Sequence, residues 1–89
     1  MTVEWEERAY DELSDIYTVA QPAEREVIVR CVERINARLA LDPWHLGESR
    51  GPGLRVWFAH PLMVAFALPR GGGVTVFHVT RLKGDPATE

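Results

Sequence analysis

The hydrophobic and polar positions change their period twice along this 89-residue chain. Residues 2–5, TVEW, place β-branched and aromatic residues in alternation, which predicts a short strand. From Glu6 to about Ala20 the apolar residues recur at helical spacing, which predicts an amphipathic helix of about four turns. These apolar residues are Ala9, Leu13, Ile16, Tyr17 and Ala20.

A second helix is predicted to follow directly, because Pro22 disfavours helical geometry in the residue before it and suits the first turn of a new helix. Residues 23–41 again carry apolar side chains at helical spacing, which are Ile28, Cys31, Val32, Ile35 and Leu39. The Asp42–Pro43 dipeptide ends this helix. We expect a helical hairpin in which Cys31 is a small buried residue, and we expect Trp44 to lie at the edge of the core.

From residue 54 onward the period becomes two, which predicts an antiparallel meander. Its three strands are predicted over residues 54–59, 62–68 and 74–82. The His60–Pro61 dipeptide and the glycine-rich residues 69–73 are short enough to form the two reversals. The last strand carries two competing inward sets, which either a bulge or burial on both sides would explain.

In this prediction the first two meander strands gather their bulky apolar side chains on one face. Those side chains are Leu54, Val56, Phe58, Leu62, Val64, Phe66 and Leu68. An amphipathic helical hairpin must cover such a face. The opposite face is then open and carries Arg55, Trp57, Met63, Ala65 and Ala67. The predicted fold class is α+β: an N-terminal strand, a two-helix hairpin and a three-stranded antiparallel meander with the helices packed on one face.

Length and composition indicate one globular domain over residues 1–89, with residues 84–89 as a frayed tail. Hydrophobic residues make up 46% of the chain and charged residues 26%, which excludes the composition of a disordered protein. No stretch approaches the roughly 20 consecutive apolar residues of a membrane span, and the acidic start is unlike a signal peptide. We therefore expect a cytoplasmic protein with no membrane partner.

The two halves of the chain carry opposite charges within a net charge of -3. Residues 1–48 hold eleven acidic residues against five arginines, whereas residues 49–89 hold five basic residues against two acidic ones. This split predicts that the second half meets an anionic partner. His45, His60 and His78 lack the spacing of zinc ligands, so no metal and no cofactor are expected.

The order of elements resembles the RelE/ParE superfamily of type II toxin–antitoxin toxins. The resemblance is carried by LDPWHLGESR, LRVWFAHPLMVAFAL and VTVFHVTRLK, and it covers residues 2 to 83. It implies a working surface on the sheet face away from the helices and on the flanking loops. It also implies a cognate antitoxin as a partner. The target would be either translation, through cleavage of messenger RNA on the ribosome, or DNA gyrase.

Ribonucleases of this superfamily carry basic residues on the first meander strand, an arginine on the second, and a basic residue with an aromatic or a histidine near the C-terminus. Arg55 and Arg81 match the first and last of these positions, so the resemblance makes them the candidate catalytic residues. Met63 stands where the second-strand arginine is expected, and no tyrosine follows Lys83. The set is incomplete, which leaves enzymatic activity open.

Cleavage of RNA needs proton transfer as well as charge stabilisation, and arginine is a poor proton carrier. His60 and His78 are the nearby candidates for that role. The candidate binding surface consists of Arg50, Trp57, His78 and Lys83. Trp57 can stack on a base or anchor a protein partner. For the charged residues, the alternative is an ordinary solvated side chain.

Three functions therefore compete. The first is a toxin that binds a cognate antitoxin and inhibits growth through translation or DNA gyrase. The second is an endoribonuclease that uses Arg55 and Arg81. The third is a non-catalytic interaction module that retains the toxin fold without nuclease activity, which Met63 and the acidic charge favour. A homodimer is a further alternative for the assembly.

Overall fold

The computed structural model describes residues 1–83, and the predicted tail lies outside these described residues. Its first half consists of strand β1 (Val3–Trp5), helix α1 (Glu7–Val19), helix α2 (Pro22–Leu41) and a short 3-10 helix (Pro43–His45). Its second half consists of strands β2 (Glu48–Gly51), β3 (Leu54–Ala59), β4 (Leu62–Ala67) and β5 (Val74–Arg81). The predicted α+β class and element order are confirmed, with β2 as an additional strand.

The strands form one mixed sheet in the order β1-β5-β4-β3-β2. Strand β1 pairs in parallel with β5, and the other neighbours pair antiparallel. Strand β2, Glu48–Gly51, lies outside the strands that the sequence predicts, and it pairs with β3 as an edge strand. A charged segment that ends in glycine has low strand propensity, so hydrogen bonding to its neighbour determines its conformation.

The helical hairpin is closed by side-chain and backbone features of its turn. Pro22 occupies the first turn of α2, and Gln21 before it is extended, as proline requires. The guanidinium of Arg25 donates to the carbonyl oxygens of Tyr17 and Thr18 at 3.0 and 2.9 Å. Those carbonyls lie at the end of α1, where the regular helical bonds stop, and the Tyr17 carbonyl also accepts the N–H of the capping residue Ala20 at 3.3 Å.

Among residues 1–83, no helix combines the length and apolar character needed to cross a membrane.

The core lies between the helices and one face of the sheet. Its fully buried side chains include Ile28, Ile35 and Leu39 of α2 and Leu62, Val64 and Phe66 of β4. Cys31 is also buried, as predicted, and its thiol donates to the carbonyl of Ala59 at 3.0 Å. Burial raises the pKa of the Cys31 thiol, because the thiolate would lose its hydration. The thiol therefore packs as part of the core.

The segment after α2 is held by residues other than the predicted one. We expected Trp44 at the edge of the core, but its side chain is 54% exposed. The neighbouring residues Pro43 and Leu46 are buried and attach this segment to the body of the protein. The tryptophan is therefore available for contact with another molecule.

Strand β3 faces the opposite way from the prediction. Ala59 pairs with Leu62 across the two-residue turn, so these two side chains lie on the same face. Leu62 is fully buried on the face that the helices cover, and alternation places Arg55 and Trp57 on that covered face too. The side chains of β3 that point to the open face are Leu54, Val56 and Phe58.

The facing of β3 was predicted wrongly because the turn pairs odd-numbered residues of one strand with even-numbered residues of the other. The turn pairs residues whose numbers add up to an odd total, so an even-numbered residue of β3 shares its face with an odd-numbered residue of β4. Hydrophobicity alone placed the bulky even-numbered residues of both strands together. Since β4 lies in the middle of the sheet, its burial decides the facing, and β3 follows it through the register.

A bulge resolves the mixed pattern of β5. Ala65 pairs with His78, whereas the adjacent Phe66 pairs with Val76, so Phe77 is an extra residue in the ladder. Val76 before the bulge and Val79 after it are both buried. Of the two explanations that the sequence left open, the structure shows the bulge.

Candidate functional site

The predicted site residues do not converge on one surface. Arg55 and Trp57 lie on the covered face of β3, and Arg50 lies on the edge strand β2. Arg81 lies at the end of β5, across β4 from β3. Arg55 pairs with a residue of β4 that is four positions away from the partner of Arg81. Standard sheet spacings then place the Cα atoms of Arg55 and Arg81 roughly 16 Å apart.

Arg55 fastens the loop before β2 to the sheet. Its Nε donates to the carbonyl of Leu46 at 2.7 Å, and its Nη2 donates to the carbonyl of Gly47 at 3.0 Å. Gly47 has a φ of 68°, and a Cβ there would lie 2.1 Å from the carbonyl oxygen of Val56. Only glycine permits this approach of the loop to β3. Two of the three guanidinium nitrogens of Arg55 are therefore engaged inside the protein.

Arg81 and Arg50 are neutralised by carboxylates of the same chain. The guanidinium of Arg81 contacts the carboxylate of Glu24 in the first turn of α2. Arg50 pairs with Glu48 in the same strand, with 3.0 Å between nitrogen and oxygen. Lys83, beyond β5, is exposed. An added anion would have to compete with the existing carboxylates at both arginines.

His78 is held by α1. Its Nδ1 lies 3.0 and 2.9 Å from the two carboxylate oxygens of Glu12, which also accepts the backbone N–H of Val79 at 3.0 Å. Burial raises the pKa of Glu12, but the Val79 N–H and the His78 ring outweigh it, so the pKa lies below its ordinary value. Strand β1 ends opposite Val76, so Glu12 satisfies a donor on the edge of β5 that no strand covers.

A set of arginines on α2 and β3 was not anticipated from the sequence. We call it the arginine groove, as a name for these residues and not for a cavity, and define it by Arg34, Arg38, Arg55 and Trp57. The Arg38 guanidinium carbon lies 5.8 Å from the centroid of the Trp57 ring, and Arg34 Nη2 donates to the carbonyl of His60 at 3.2 Å. Among residues 1–83, no carboxylate lies within ion-pair distance of its three arginines.

The sequence contained one signal for this groove. Arg34 and Arg38 are four residues apart in a predicted helix, so they share one helix face. Which neighbour that face meets depends on how α2 crosses the sheet. Only the packing brings Arg38 over the ring of Trp57 and Arg34 to the carbonyl of His60.

The part of the open face that β3 and β4 form is apolar rather than cationic. Its members are Leu54, Val56, Phe58, Met63, Ala65 and Ala67. The strand registers place polar residues on the same face at its two sides, and these are Thr75 and Thr80 of β5 and Glu48 of β2. Leu54 is 40% exposed and Phe58 is 54% exposed. A surface that tracks a nucleic-acid backbone is lined by lysine and arginine, whereas exposed apolar residues that adjoin one another are typical of protein contacts.

No protein-family model matches this sequence, and no curated protein matches it. Solved structures do resemble the fold. A chain from the chromosomal ParDE TA system of P. aeruginosa aligns with a TM-score of 0.74 and 20% identity, over 93% of this chain and 97% of that chain. The isolated E. coli RelE toxin aligns with a TM-score of 0.62 and 14% identity, over 98% of this chain and 89% of that one. The predicted RelE/ParE-like fold is thus confirmed.

Proposed function

We propose that this chain is the toxin of a type II toxin–antitoxin system and that a cognate antitoxin binds and silences it. We further propose that it arrests growth by binding a protein target, for which DNA gyrase is the example within the superfamily, rather than by cleaving messenger RNA. The observation that carries the proposal is the fold shared over nearly the whole chain with a protein of a ParDE system. The apolar open face agrees with a protein target.

The environments of the candidate catalytic residues weigh against RNA cleavage. Arg55 donates to loop carbonyls and Arg81 contacts Glu24, so neither guanidinium is directed at a shared point. Their Cα atoms are also roughly 16 Å apart by standard sheet spacings. His78, one of the two candidates for proton transfer, is bound to Glu12 instead. Stabilising a scissile phosphate requires these groups to surround one position.

A non-catalytic interaction module is the second candidate. The same exposed side chains of Leu54 and Phe58 favour it, because a protein-binding face does not by itself require toxicity. This candidate differs from the first in one consequence. It predicts binding to a partner protein without growth arrest.

Inducible expression of the chain, alone and together with the neighbouring reading frame, separates these functions. We expect growth arrest with intact messenger RNA, and we expect relief of the arrest by co-expression. Fragmented transcripts would favour the ribonuclease. Normal growth under full expression would favour the interaction module.

A pair of matched variants tests the role of the open face in the same experiment. Phe58→Glu introduces a charge on the open face, and Val27→Glu introduces the same charge at a position of α2 that is 51% exposed. We expect Phe58→Glu to abolish arrest at an unchanged level of folded protein, and Val27→Glu to retain it. Arrest by both variants would show that the target does not bind the open face.

A further inference from the structure

We infer that the arginine groove is the docking site for an acidic polypeptide segment of a partner protein. The carboxylates of that segment pair with Arg34, Arg38 and Arg55, and its apolar side chains contact Leu41 and Trp44. The inference rests on the proposed function in one respect, since the partner is the antitoxin.

The cations of the groove stand apart from most other arginines of the described chain. Four arginines outside the groove have a carboxylate partner, and these are Arg8, Arg30, Arg50 and Arg81. The three arginines of the groove have no carboxylate partner within residues 1–83. Arg34 and Arg38 also lie one helical turn apart, where like charges repel each other. A ligand with negative charge would relieve this repulsion.

The arginine groove also contains N–H donors that have no acceptor within the described part of the chain. Within the described part of the chain, the guanidinium of Arg38 donates to no protein acceptor, and Nη1 of Arg55 is likewise unused. Nη2 of Arg34 donates to the carbonyl of His60 and also makes a long contact with the Cys31 sulfur. Carboxylates are well suited to such donors, because guanidinium groups bind them in a bidentate geometry.

Two observations favour a polypeptide over a nucleic acid. Trp57 packs against the core, and the guanidinium of Arg38 lies over its ring, so the indole is not free to stack on a base. The chain also has a net charge of -3, which opposes the approach of a polyanion such as a nucleic acid. A short segment with a few carboxylates interacts mainly with the nearby arginines of the groove, because salt screens the more distant charges.

Exposed apolar side chains follow Arg38 along the chain at the end of α2. Leu41, three residues after Arg38, is 80% exposed, and Trp44 in the following 3-10 helix is 54% exposed. Protein interfaces combine arginine and aromatic anchors in this manner. A segment that alternates acidic and apolar residues therefore matches both the cations and the apolar extension.

Fluorescence anisotropy at low salt tests this inference with defined probes. The probes are a labelled peptide that alternates glutamate with leucine, the same peptide with lysine in place of glutamate, and a labelled single-stranded RNA. The protein variants are Arg34→Glu and Arg38→Glu, with Arg30→Glu as the control. Arg30 lies one turn before Arg34 on the same helix, but it is already paired with Glu26. Thermal unfolding establishes that each variant is folded.

We expect the acidic peptide to bind and the basic peptide not to bind. Each groove reversal should weaken the acidic peptide on the order of tenfold or more, while Arg30→Glu leaves its affinity within about twofold. Three results would overturn the inference: no binding of the acidic peptide, an equal loss in Arg30→Glu, or RNA that binds the groove more tightly than the peptide does.

The neighbouring reading frame provides a second readout in cells. Arg38→Glu should still arrest growth, but co-expression should no longer relieve the arrest, whereas Arg30→Glu should still be relieved. Full relief of Arg38→Glu would contradict the groove as the antitoxin site and leave the proposed function standing. Absence of arrest by the unaltered chain would instead overturn the proposed function, and peptide binding would remain a separate measurement.

Discussion

The two helices meet the sheet through contacts of opposite electrostatic character. Where α1 meets β5, the carboxylate of Glu12 binds the Val79 N–H and the His78 ring, and it lies 3.6 Å from Arg8. Where α2 meets β3, Arg34 and Arg38 approach the strand with no carboxylate within ion-pair distance among residues 1–83. One contact is internally neutralised, and the other retains positive charge.

This difference separates a structural contact from a binding surface. Glu12 satisfies a backbone donor at the sheet edge and therefore contributes to folding without any further molecule. Arg34 and Arg38 of the arginine groove repel each other in the folded chain, and only a bound anion would relieve this repulsion. The α1 contact should therefore affect stability, and the α2 contact should affect recognition.

The largest expected effect tests which face both helices cover. Phe66 is fully buried on the central strand β4, whereas Phe58 is 54% exposed on the open face. We expect Phe66→Ala to lower the free energy of unfolding by about 3–5 kcal/mol. The same truncation at Phe58 should lower it by less than about 1 kcal/mol. Urea denaturation measures both, and comparable losses would contradict the assignment of the two faces.

The contact between α1 and β5 is tested next. Glu12→Ala leaves the Val79 N–H without its acceptor and should lower the free energy of unfolding by about 1–2 kcal/mol at neutral pH. Asp15→Ala removes an exposed carboxylate from the same helix and should change it by less than about 0.5 kcal/mol. If the two variants lost the same stability in thermal unfolding, the carboxylate of Glu12 would have no specific role.

The pKa of Glu12 makes the same contact sensitive to acid. Because this pKa is lowered from 4.5 in the folded state, the unfolded state binds more protons, and stability falls as the pH decreases through the lowered pKa. The contribution of the Glu12 charge is fully present above about pH 4.5. Denaturation curves of the unaltered chain and Glu12→Gln should therefore converge as the pH falls through the lowered pKa of Glu12. A constant gap between the two curves would refute this assignment.

The smallest expected effect on stability lies in the arginine groove. Replacing both Arg34 and Arg38 with glutamine removes one hydrogen bond and one cation–π contact, but it also removes the repulsion between the two charges. We expect the free energy of unfolding to change by less than about 1 kcal/mol. A loss larger than that of Glu12→Ala would mean that the groove is a structural contact after all.

Much of the fold could be predicted from local physical chemistry. The apolar spacing in α1 and α2, Pro22 between them and the alternation in β4 each depend on residues close together in the chain, so the sequence shows them directly. Strand β2 has no such pattern, because its conformation comes from its partner β3. Arg55 and Trp57 were recognised as notable residues, but their contacts were not.

What the sequence by itself determined is therefore the order and type of the main elements and the opposite charge of the two halves. The tertiary structure alone decided which face of β3 is covered, because the register across the two-residue turn links that face to the buried side chains of β4. It also decided that Arg38 meets Trp57 and that Arg34 meets the carbonyl of His60, whereas Arg81 meets Glu24. Periodicity acts within an element, but pairing of charges depends on which elements pack together in space.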